Sequence, residues 1–544
     1  MNKRVLKWML IVLIINPSFC FGQISKLWEV YLPSESNYLA SFNSNSNNHL
    51  KTIQTPDDCF VTLASKQWTD FEFGSRIYLF KYNKYGEIIW EYTYENSREY
   101  GEYPMDITID QEGDIIVSGK AITFYQSGFE REIVSANYLL LKISQDAELI
   151  WEKEIEGEKK FVNYCSSIVI DSLGNIYTTG KIAQNDTNYV VVNKFNSLGV
   201  NQWTKNVNTD ISYSINLVNN QLFVVTKRYS SPSRIYRFNL SGEMLDSFSI
   251  DRIHLNKPVF DKNGNLYNFQ FNGDFKIEKY NSTGNLQWIY HKETNLPPNV
   301  IADELRDCFI DEDGNVFVTG RFYGKHYGDK LLYTNSDILT VKLDILGNVV
   351  WENIYKYDNK RSGQIGDKIK LDKDGNTYVL GHQTVELNGD LFASDDMVLL
   401  VYNDEGELID SVYHDGINKK EDYGITFFLD DDDIYVLGYS QNEEELFDYN
   451  VIKYSKTTVN SFDEEHHDNI VIYPNPSTGS INFNCDSKVS NLSVFSSPGN
   501  MIFHKKNFNS NFTIDLGGNP SGIYYINYVL NKNKYSKPIV LYEH

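Results

Sequence analysis

Two short sequence signatures alternate along residues 27–456, and this internal repeat is the strongest constraint on the fold. The first is an apolar strand that ends in Asp, a Gly turn and a second apolar strand, as in residues 107–119. The second is a strand, a Gly turn and a strand with Trp four residues after the Gly, as in residues 81–90. Together they predict a unit of four short antiparallel strands, a to d. About 50 residues per unit is the size of a propeller blade.

The first strand of the chain completes the last unit. The eighth unit ends near Tyr454 without a d strand, whereas residues 27–32 match the d-strand pattern. We therefore predict an all-β fold: an eight-bladed β-propeller over residues 23–456, closed by this N-terminal strand. A seven-bladed ring is the alternative. Closure matters because an open ring would leave an unpaired sheet edge.

The tryptophans repeat once per unit, which is expected of residues that pack between blades. Six of them share one d-strand position: Trp28, Trp90, Trp151, Trp203, Trp288 and Trp351. The repeats resemble the exported bacterial β-propeller repeat family. The Gly-to-Trp spacing also resembles the tryptophan-docking repeats of eight-bladed quinoprotein dehydrogenases. That second resemblance concerns the scaffold alone, because this chain has no adjacent cysteines.

The N-terminal residues predict export. Residues 1–22 have a basic start, an apolar stretch and small residues before Gln23, which is typical of a secretory signal peptide. The rival interpretation, an anchor helix, is disfavoured because the apolar run is shorter than the ~20 residues that span a bilayer. No later segment is apolar enough to cross one. The four later cysteines lack metal-ligand spacing and are expected to be buried free thiols.

The charge of the chain excludes one class of partner. The formal net charge is −23 and the pI about 4.9. A chain this acidic would repel nucleic-acid phosphates, so we expect no nucleic-acid partner.

One end of the predicted propeller varies and the other does not. The a-to-b and c-to-d turns are short and uniform, whereas the b-to-c and d-to-a connections vary, as at residues 122–136 and 384–395. Binding residues lie preferentially on such loops. Aromatic residues there suit a glycan or protein surface, and two aspartates begin inner strands at the same end. The candidate ligand-binding residues are Trp68, Tyr100, Asp106, Tyr125, Asp307, Tyr323 and Tyr327.

The motifs predict neither a metal nor an enzyme. Asp311, Asp313 and Asn315 alternate as in a calcium loop, but no nearby residues supply the remaining ligands, and a hairpin turn with Gly at positive φ is the favoured explanation. No His-Glu-x-x-His, Gly-x-Ser-x-Gly or phosphate loop is present. We therefore expect no metal, no cofactor and no catalytic activity. Because propeller active sites can be assembled from distant blades, the enzyme alternative stays open.

The last 76 residues differ from the repeat. Residues 457–468 read as a polar linker, and residues 469–544 alternate apolar and polar between Gly and Pro turns, which predicts a small β-sandwich. They resemble the type A sorting domain of type IX secretion cargo. The resemblance implies recognition by that secretion machinery and a secreted or outer-membrane surface location in a Gram-negative bacterium of the Bacteroidota type. The motif residues are Tyr473, Pro474, Asn475, Pro476, Gly479, Gly499, Pro520, Gly522 and Tyr524.

Three functions fit the sequence. The favoured one is a secreted or surface-displayed module that binds a glycan or protein through the variable-loop face. The first alternative is a polysaccharide-active hydrolase or lyase with its site over the channel. The second is a structural or adhesive surface protein.

Overall fold

Nearly all of the regular structure is β-strand. The computed structural model describes residues 24–32, 51–67, 75–94, 101–127, 130–158, 161–207, 210–227, 232–251, 253, 258–271, 275–292, 304–323, 336–356, 363–387, 390–416, 420–442, 447–456, 471–473, 477, 479–484, 489–496, 501–508, 512–519, 522–530 and 533–541.

The repeat region holds 32 strands within these residues. In chain order they are β1 (Ser25–Leu32), β2 (Lys51–Gln54), β3 (Phe60–Gln67), β4 (Ser75–Tyr82), β5 (Ile88–Thr93), β6 (Glu102–Ile109), β7 (Ile115–Ser127), β8 (Glu130–Ile143), β9 (Leu149–Ile155), β10 (Tyr164–Ile170), β11 (Ile176–Gln184), β12 (Thr187–Phe195), β13 (Asn201–Asn206), β14 (Ile211–Val218), β15 (Gln221–Lys227), β16 (Ser233–Asn239), β17 (Met244–Ile250), β18 (Val259–Phe260), β19 (Leu266–Phe271), β20 (Phe275–Tyr280), β21 (Leu286–Lys292), β22 (Glu304–Ile310), β23 (Val316–Phe322), β24 (Asp337–Leu343), β25 (Val349–Tyr355), β26 (Gln364–Leu371), β27 (Thr377–Leu387), β28 (Asp390–Tyr402), β29 (Leu408–His414), β30 (Asp422–Leu429), β31 (Asp433–Gln441) and β32 (Phe447–Ser455).

These strands form eight four-stranded antiparallel sheets. Sheets 1 to 7 take four consecutive strands each, from β2–β5 to β26–β29, and sheet 8 has the order β1-β32-β31-β30. First strands of several neighbouring sheets lie beside one another, as β6 with β10, β10 with β14 and β22 with β26, which places them on the inside of the ring. The outer strands expose apolar side chains such as Ile89 and Ile150.

The ring closes as the sequence predicts. Strand β1 pairs antiparallel with β32, with Trp28 opposite Lys453 and Glu29 opposite Ile452. Side chains also tie β1 to sheet 7, because Glu29 Oε1 lies 2.9 Å from His414 Nε2. Sheet 8 then packs on sheet 1 through an aromatic cluster that includes Phe60 and Tyr435. The last sheet therefore meets the first without an open edge.

The second strands contain continuous apolar runs in sequence. This pattern fits their place in the fold, because each sheet is covered by a neighbouring sheet on both faces. In β7, Ile115 and Val117 pack toward sheet 1, whereas Ile116 between them packs toward sheet 3. Side chains of a strand alternate between its two faces, so a continuous apolar run fits a sheet that is buried on both sides.

The repeated tryptophans dock on the Gly turn of the following sheet. The indole Nε1–H of Trp90 donates to the Gln145 carbonyl (2.9 Å), and that of Trp288 donates to the Ile345 carbonyl (3.0 Å). The bare Cα of the turn glycine leaves room for the ring: a Cβ on Gly347 would lie 2.6 Å from Trp288. Packing between sheets therefore explains this residue pattern.

The Asp-x-x-Gly-Asn segments are hairpin turns. Oδ1 of Asp311 accepts the backbone N–H groups of Asp313 (3.0 Å) and Asn315 (2.8 Å), and Oδ2 accepts the Asn315 amide (2.8 Å). Gly314 has φ +85°, a conformation that favours glycine. Both oxygens of Asp311 are thus used within the turn.

Two connections that the sequence places in loops are strands instead. Residues 122–127 and 130–136 extend the hairpin of β7 with β8, and residues 384–387 and 390–395 extend that of β27 with β28. The reason is local: the run Ile122-Thr123-Phe124-Tyr125 is β-branched and aromatic, and such residues continue strand pairing.

The C-terminal residues form two further sheets. Their strands are β33 (Val471–Tyr473), β34 (Ser480–Asn484), β35 (Val489–Ser496), β36 (Met501–Phe508), β37 (Phe512–Asp515), β38 (Gly522–Leu530) and β39 (Asn533–Leu541). The sheet β33-β34-β37 and the sheet β36-β35-β38-β39 share one core, in which Ile481 and Ile514 meet Leu492 and Ile526. This is the small β-sandwich that the alternation predicts.

The cysteines of the repeat region are free thiols, as the sequence predicts. Cys59 and Cys165 are buried free thiols, and Cys308 is a half-buried one. Cys485 lies outside the described residues. Nowhere in the described chain is there an apolar helix of membrane-spanning length.

Candidate functional site

The two ends of the ring differ in chemistry. We call the end with the short Gly turns the turn end, and the opposite end, where second strands finish and first strands begin, the loop end. At the turn end, aspartates such as Asp171 are consumed by their own turns: Oδ1 accepts the Asn175 N–H, and Oδ2 accepts the Tyr177 hydroxyl. The loop end carries the groups that remain for a ligand.

Six sheets share a β-bulge between their first and second strands, and this bulge defines one equivalent second-strand position in each of them. In sheets 2, 3, 4, 6, 7 and 8, the pairing of the first and second strands shifts by one residue, for example between Pro104 and Asp106 in sheet 2. The equivalent position is the second residue beyond the bulge on the second strand, counted toward the loop end. It is basic in five of these sheets. We call these five residues the loop-end cations: Lys120, Lys181, Lys227, Arg321 and His382.

Most loop-end cations lie against tyrosine rings. Lys120 Nζ is 4.9 Å from the centre of the Tyr103 ring, and Lys227 Nζ is 5.2 Å from that of Tyr213. These distances allow cation–π attraction. Burial lowers the pKa values of Lys120 and Lys181, because an ammonium is less stable away from water.

His382 forms a close ion pair with a first-strand residue of the same sheet. Its Nδ1 lies 2.6 Å from Asp367 Oδ2, and the two side chains are 16% and 22% exposed, so solvent reaches both. Burial opposes the charge on His382, but the Asp367 carboxylate outweighs it and raises the histidine pKa. Burial likewise opposes ionisation of Asp367, and His382, with Arg306 and Lys368 nearby, lowers its pKa. The pair is therefore ionised together.

Two tyrosines of sheet 8 extend this cluster. The Tyr423 ring lies 5.1 Å from the His382 ring and 5.1 Å from the Tyr439 ring. The Tyr423 hydroxyl donates a hydrogen bond to Asp395 Oδ2. Burial, then the Asp395 charge, raises the Tyr423 pKa, so this hydroxyl stays protonated. Asp395 Oδ1 is buried without a donor among the described residues, which leaves it as an acceptor for a ligand.

The two predicted inner-strand aspartates tie neighbouring sheets together. Asp106 Oδ2 accepts the Ile168 N–H (3.2 Å), and Asp307 Oδ2 accepts the Ile369 N–H (3.1 Å). Asp106 also pairs with Lys51 Nζ at 2.5 Å. Burial raises the pKa of Asp307, partly opposed by Lys368. Their hydrogen bonds thus give both aspartates a packing role at the loop end.

The predicted aromatic residues fall into two groups. Tyr323 is not an exposed loop residue: it is 8% exposed, and its hydroxyl accepts a hydrogen bond from Arg321 Nη1 (3.2 Å). It is covered because it directly follows β23, where Arg321 lies over the ring. Trp68, Tyr100 and Tyr327 lie outside the described residues. Tyr125 lies in β7, paired with Glu132, and its side chain is likewise outside the description.

Three aspartates could hold a metal ion. One carboxylate oxygen each of Asp396, Asp415 and Asp422 lies within 4.8 Å of the others, between sheets 7 and 8. Asp422 is fully buried, and its Oδ2 accepts the Gly416 N–H at 2.6 Å. The sequence analysis, which expected no metal ligands, did not find this group because its members belong to three different segments.

The loop-end cations were also missed by sequence reasoning, although a signal exists. Each follows the residue that ends the second-strand signature: Gly119, Gly180, Thr226, Gly320 and Gly381. A basic residue at that place in successive repeats is visible once the units are aligned. The signal is weak in a single repeat because a basic residue at a strand end is common, and it becomes visible only when the repeats are compared.

Comparison with known protein families finds one match in the repeat region and one in the C-terminal sandwich. Residues 471–542 match the family described as secretion system C-terminal sorting domain, and residues 162–186 match the family described as β-propeller repeat. The chain is therefore similar to β-propeller repeat proteins over part of its repeat region and to secretion sorting domains over its C-terminal residues. A search of curated proteins found no significant match.

Solved structures resemble this propeller repeat protein only distantly. The C-terminal WD40 domain of Sif2 is 10% identical with a TM-score of 0.45 and covers 79% of this chain and 98% of its own. The Dos1 propeller is 8% identical with a TM-score of 0.42 and covers 80% and 95%. A protein of unknown function from Bacteroides caccae is 15% identical with a TM-score of 0.31 and covers 54% and 93%. Likenesses this remote indicate no function.

The sorting domain supports a secreted or cell-surface location for the propeller repeat protein in a Bacteroidota-type bacterium, and implies interaction with the type IX secretion machinery. Of its motif residues, Tyr473 is 46% exposed, Tyr524 is buried in the sandwich core, and Gly522 begins β38. Gly479 has φ +135° and passes close to Gly517. Pro474, Asn475, Pro476, Gly499 and Pro520 lie outside the described residues.

Proposed function

We propose that this secreted propeller protein binds a glycan at the loop end of its inner strands. The observation that carries the proposal is the partly exposed cluster of sheets 7 and 8. There, two tyrosine rings, a charged histidine and a buried carboxylate acceptor lie together: Tyr423, Tyr439, His382 and Asp395. Aromatic faces and a few fixed polar groups are what a sugar ring needs for apolar contact and oriented hydrogen bonds.

The contrast between the ends supports this location. At the turn end, Asp311 and Asp372 use both carboxylate oxygens within their own turns, one for backbone N–H groups and the other for an asparagine side chain. At the loop end, the same residue type retains an acceptor atom. A sugar hydroxyl can donate to Asp395 Oδ1 without displacing a hydrogen bond of the fold.

A tyrosine exchange with a matched control tests the proposal. Tyr439→Ala removes a ring from the cluster, whereas Tyr85→Ala removes a ring that is 39% exposed at the turn end. We expect the first variant to weaken binding to glycan oligosaccharides about two- to tenfold, because ring contacts contribute about 0.5–1.5 kcal/mol. The second should bind like the wild type. Equal loss in both, or no binding of any panel glycan by the wild type, contradicts the proposal.

A second candidate is a hydrolase or lyase that acts on the same glycan. The Asp367–His382 pair and the Asp395–Tyr423 pair bring two carboxylates, an imidazole and a phenol to one partly exposed place. Such groups can exchange protons with a bound sugar.

Incubation with polysaccharides distinguishes an enzyme from a binding module. A hydrolase releases new reducing ends, and a lyase also produces an unsaturated sugar that absorbs ultraviolet light. Activity that disappears in His382→Gln would establish the enzyme. Binding without either product in the wild type would establish the module.

A further inference from the structure

We infer that the glycan is anionic, a polymer of uronate or sulfated sugars held by the loop-end cations. This inference rests on the proposed function and narrows it. It is carried by the equivalent position of Lys120, Lys181, Lys227, Arg321 and His382 in five sheets.

The fold itself does not demand a basic residue at this position. Sheet 8 has the same bulge and carries Tyr439 there. Sheet 1 lacks the bulge among its described pairs. Five basic residues at one structural level are therefore a feature beyond the scaffold, and they occur in a chain whose formal net charge is −23.

Lys120 and Lys181 differ from several other buried or half-buried lysines of the propeller in their lack of a carboxylate partner among the described residues. Lys81 and Lys453, which are buried toward the turn end, pair with Asp57 and Asp433, both at 2.8 Å. Buried Lys279 donates to the Ile345 carbonyl. Within the described part of the chain, half-buried Lys120 and Lys181 have no carboxylate partner, and burial lowers their pKa values. Because a desolvated ammonium is costly without a counter-charge, these two positions favour an anion from outside.

Arg321 adds geometry to the charge. Its Nε is buried and has no acceptor among the described residues, while Nη1 donates to Tyr323. A guanidinium presents its donors in a planar fork that matches a carboxylate or sulfate group. The Tyr323 contact fixes the plane of the fork in advance.

The distribution of the cations favours a polymer over a small anion. Lys120, Lys181 and Lys227 belong to three successive sheets, whereas Arg321 and His382 belong to sheets on the other side of the ring. Separate cations can contact successive charges of one chain, and their contributions then combine through a high effective concentration.

Binding of acidic and neutral polymers tests the inference. The full chain without its predicted signal peptide is titrated with polygalacturonate, chondroitin sulfate and neutral dextran. We expect saturable binding of at least one acidic polymer, weaker as salt rises because the contacts are ionic. Lys120→Gln with Lys181→Gln should weaken it roughly tenfold or more, since charged hydrogen bonds are the strong ones.

Two further variants keep the result interpretable. Lys153→Gln with Lys262→Gln removes an exposed lysine of outer strand β9 and one of a Gly turn, neither at the level of the loop-end cations, and should leave binding unchanged. Lys120→Arg with Lys181→Arg keeps both charges and should retain most of the binding, which a purely structural role of these lysines would not predict.

The outcomes separate the inference from the proposed function. Tight binding of dextran that is insensitive to the Lys120 and Lys181 exchanges overturns the anionic inference and leaves glycan binding in place. Equal loss with the Lys153 and Lys262 exchanges overturns the inference as well, because the charge effect is then general. No binding of any acidic or neutral polysaccharide overturns both.

Discussion

At the scale of single residues, the docked tryptophans explain why Gly recurs in the c-to-d turns. In most of these turns a glycine both adopts positive φ and leaves space for the indole of the preceding sheet, whereas Ala147, with φ +66°, takes this place in the turn that receives Trp90. Gly406 meets both conditions, with φ +82° and a would-be Cβ 2.5 Å from the Trp351 ring. Gly375 meets only the first, since its nearest neighbour, Asp404, is 4.0 Å away.

This difference gives a prediction with an internal control. Gly375→Ala should lower the free energy of unfolding by about 1–2 kcal/mol, from backbone strain alone. Gly406→Ala should lower it by at least about 1–3 kcal/mol more, because the methyl group overlaps the ring. Chemical denaturation of both variants measures the difference. Equal losses would mean that the indole does not occupy the turn.

The His382–Asp367 pair predicts a pH window of stability. The His382 pKa is raised above its usual 6.5, so its contribution is complete below 6.5 and is lost as pH rises through the raised value. The Asp367 pKa is lowered below its usual 3.8, so its contribution is complete above 3.8 and is lost as pH falls through the lowered value.

Asp367→Asn should therefore destabilise the protein most between pH 3.8 and 6.5, by about 1.5–3 kcal/mol. The measurement is the free energy of unfolding across pH for variant and wild type. Asp404→Asn, which affects a 64% exposed partner of Lys342, should change stability by less than about 1 kcal/mol. A difference for Asp367→Asn that is constant from pH 3 to 9 would contradict the coupled pair.

At the scale of elements, β1 is the strand on which the ring depends. It supplies the outer strand of sheet 8, and its Glu29 reaches His414 of sheet 7. Deleting residues 24–33 should markedly lower the melting temperature or cause aggregation, because it uncovers the edge of β32. An unchanged melt would show that the ring does not need this strand.

A point variant tests the same element more finely. Glu29→Gln weakens the pair with nearly buried His414 and should cost about 1.5–3 kcal/mol of unfolding free energy. Glu91 follows the Trp of sheet 1 as Glu29 follows Trp28, but its side chain is exposed. Glu91→Gln should therefore be nearly neutral, and a similar loss in both variants would contradict the tie between β1 and sheet 7.

At the scale of the whole molecule, repetition made the fold readable from sequence. The unit of four strands, the closing role of β1 and the C-terminal sandwich follow from patterns within about 50 residues, which local alternation specifies. The candidate site was less readable. His382, Asp395 and Tyr423 come from three strands of two sheets, and neither spacing nor motif shows which strand ends converge in a ring.

The Asp-x-x-Gly-Asn turns show that a local motif can also suggest a metal site where the structure has only a hairpin turn. A correct local motif, such as Asp311 with Asn315, proved to be structural because the carboxylate oxygens accept the backbone N–H and the side-chain amide of Asn315. Conversely, Asp396, Asp415 and Asp422 form an acidic group that no local motif announces. A site whose residues come from distant parts of the sequence can be recognised only when the positions of the sheets are known.

Hydrogen–deuterium exchange with and without polygalacturonate tests the central claim most directly, namely that the loop end of the closed ring is the binding surface. Added polymer should slow exchange in the loop-end halves of β7, β11, β15, β23 and β27, where the loop-end cations lie, and leave the Gly turns of the opposite end unchanged. Slowing confined to the Gly turns, or absent from all eight sheets, would contradict the account.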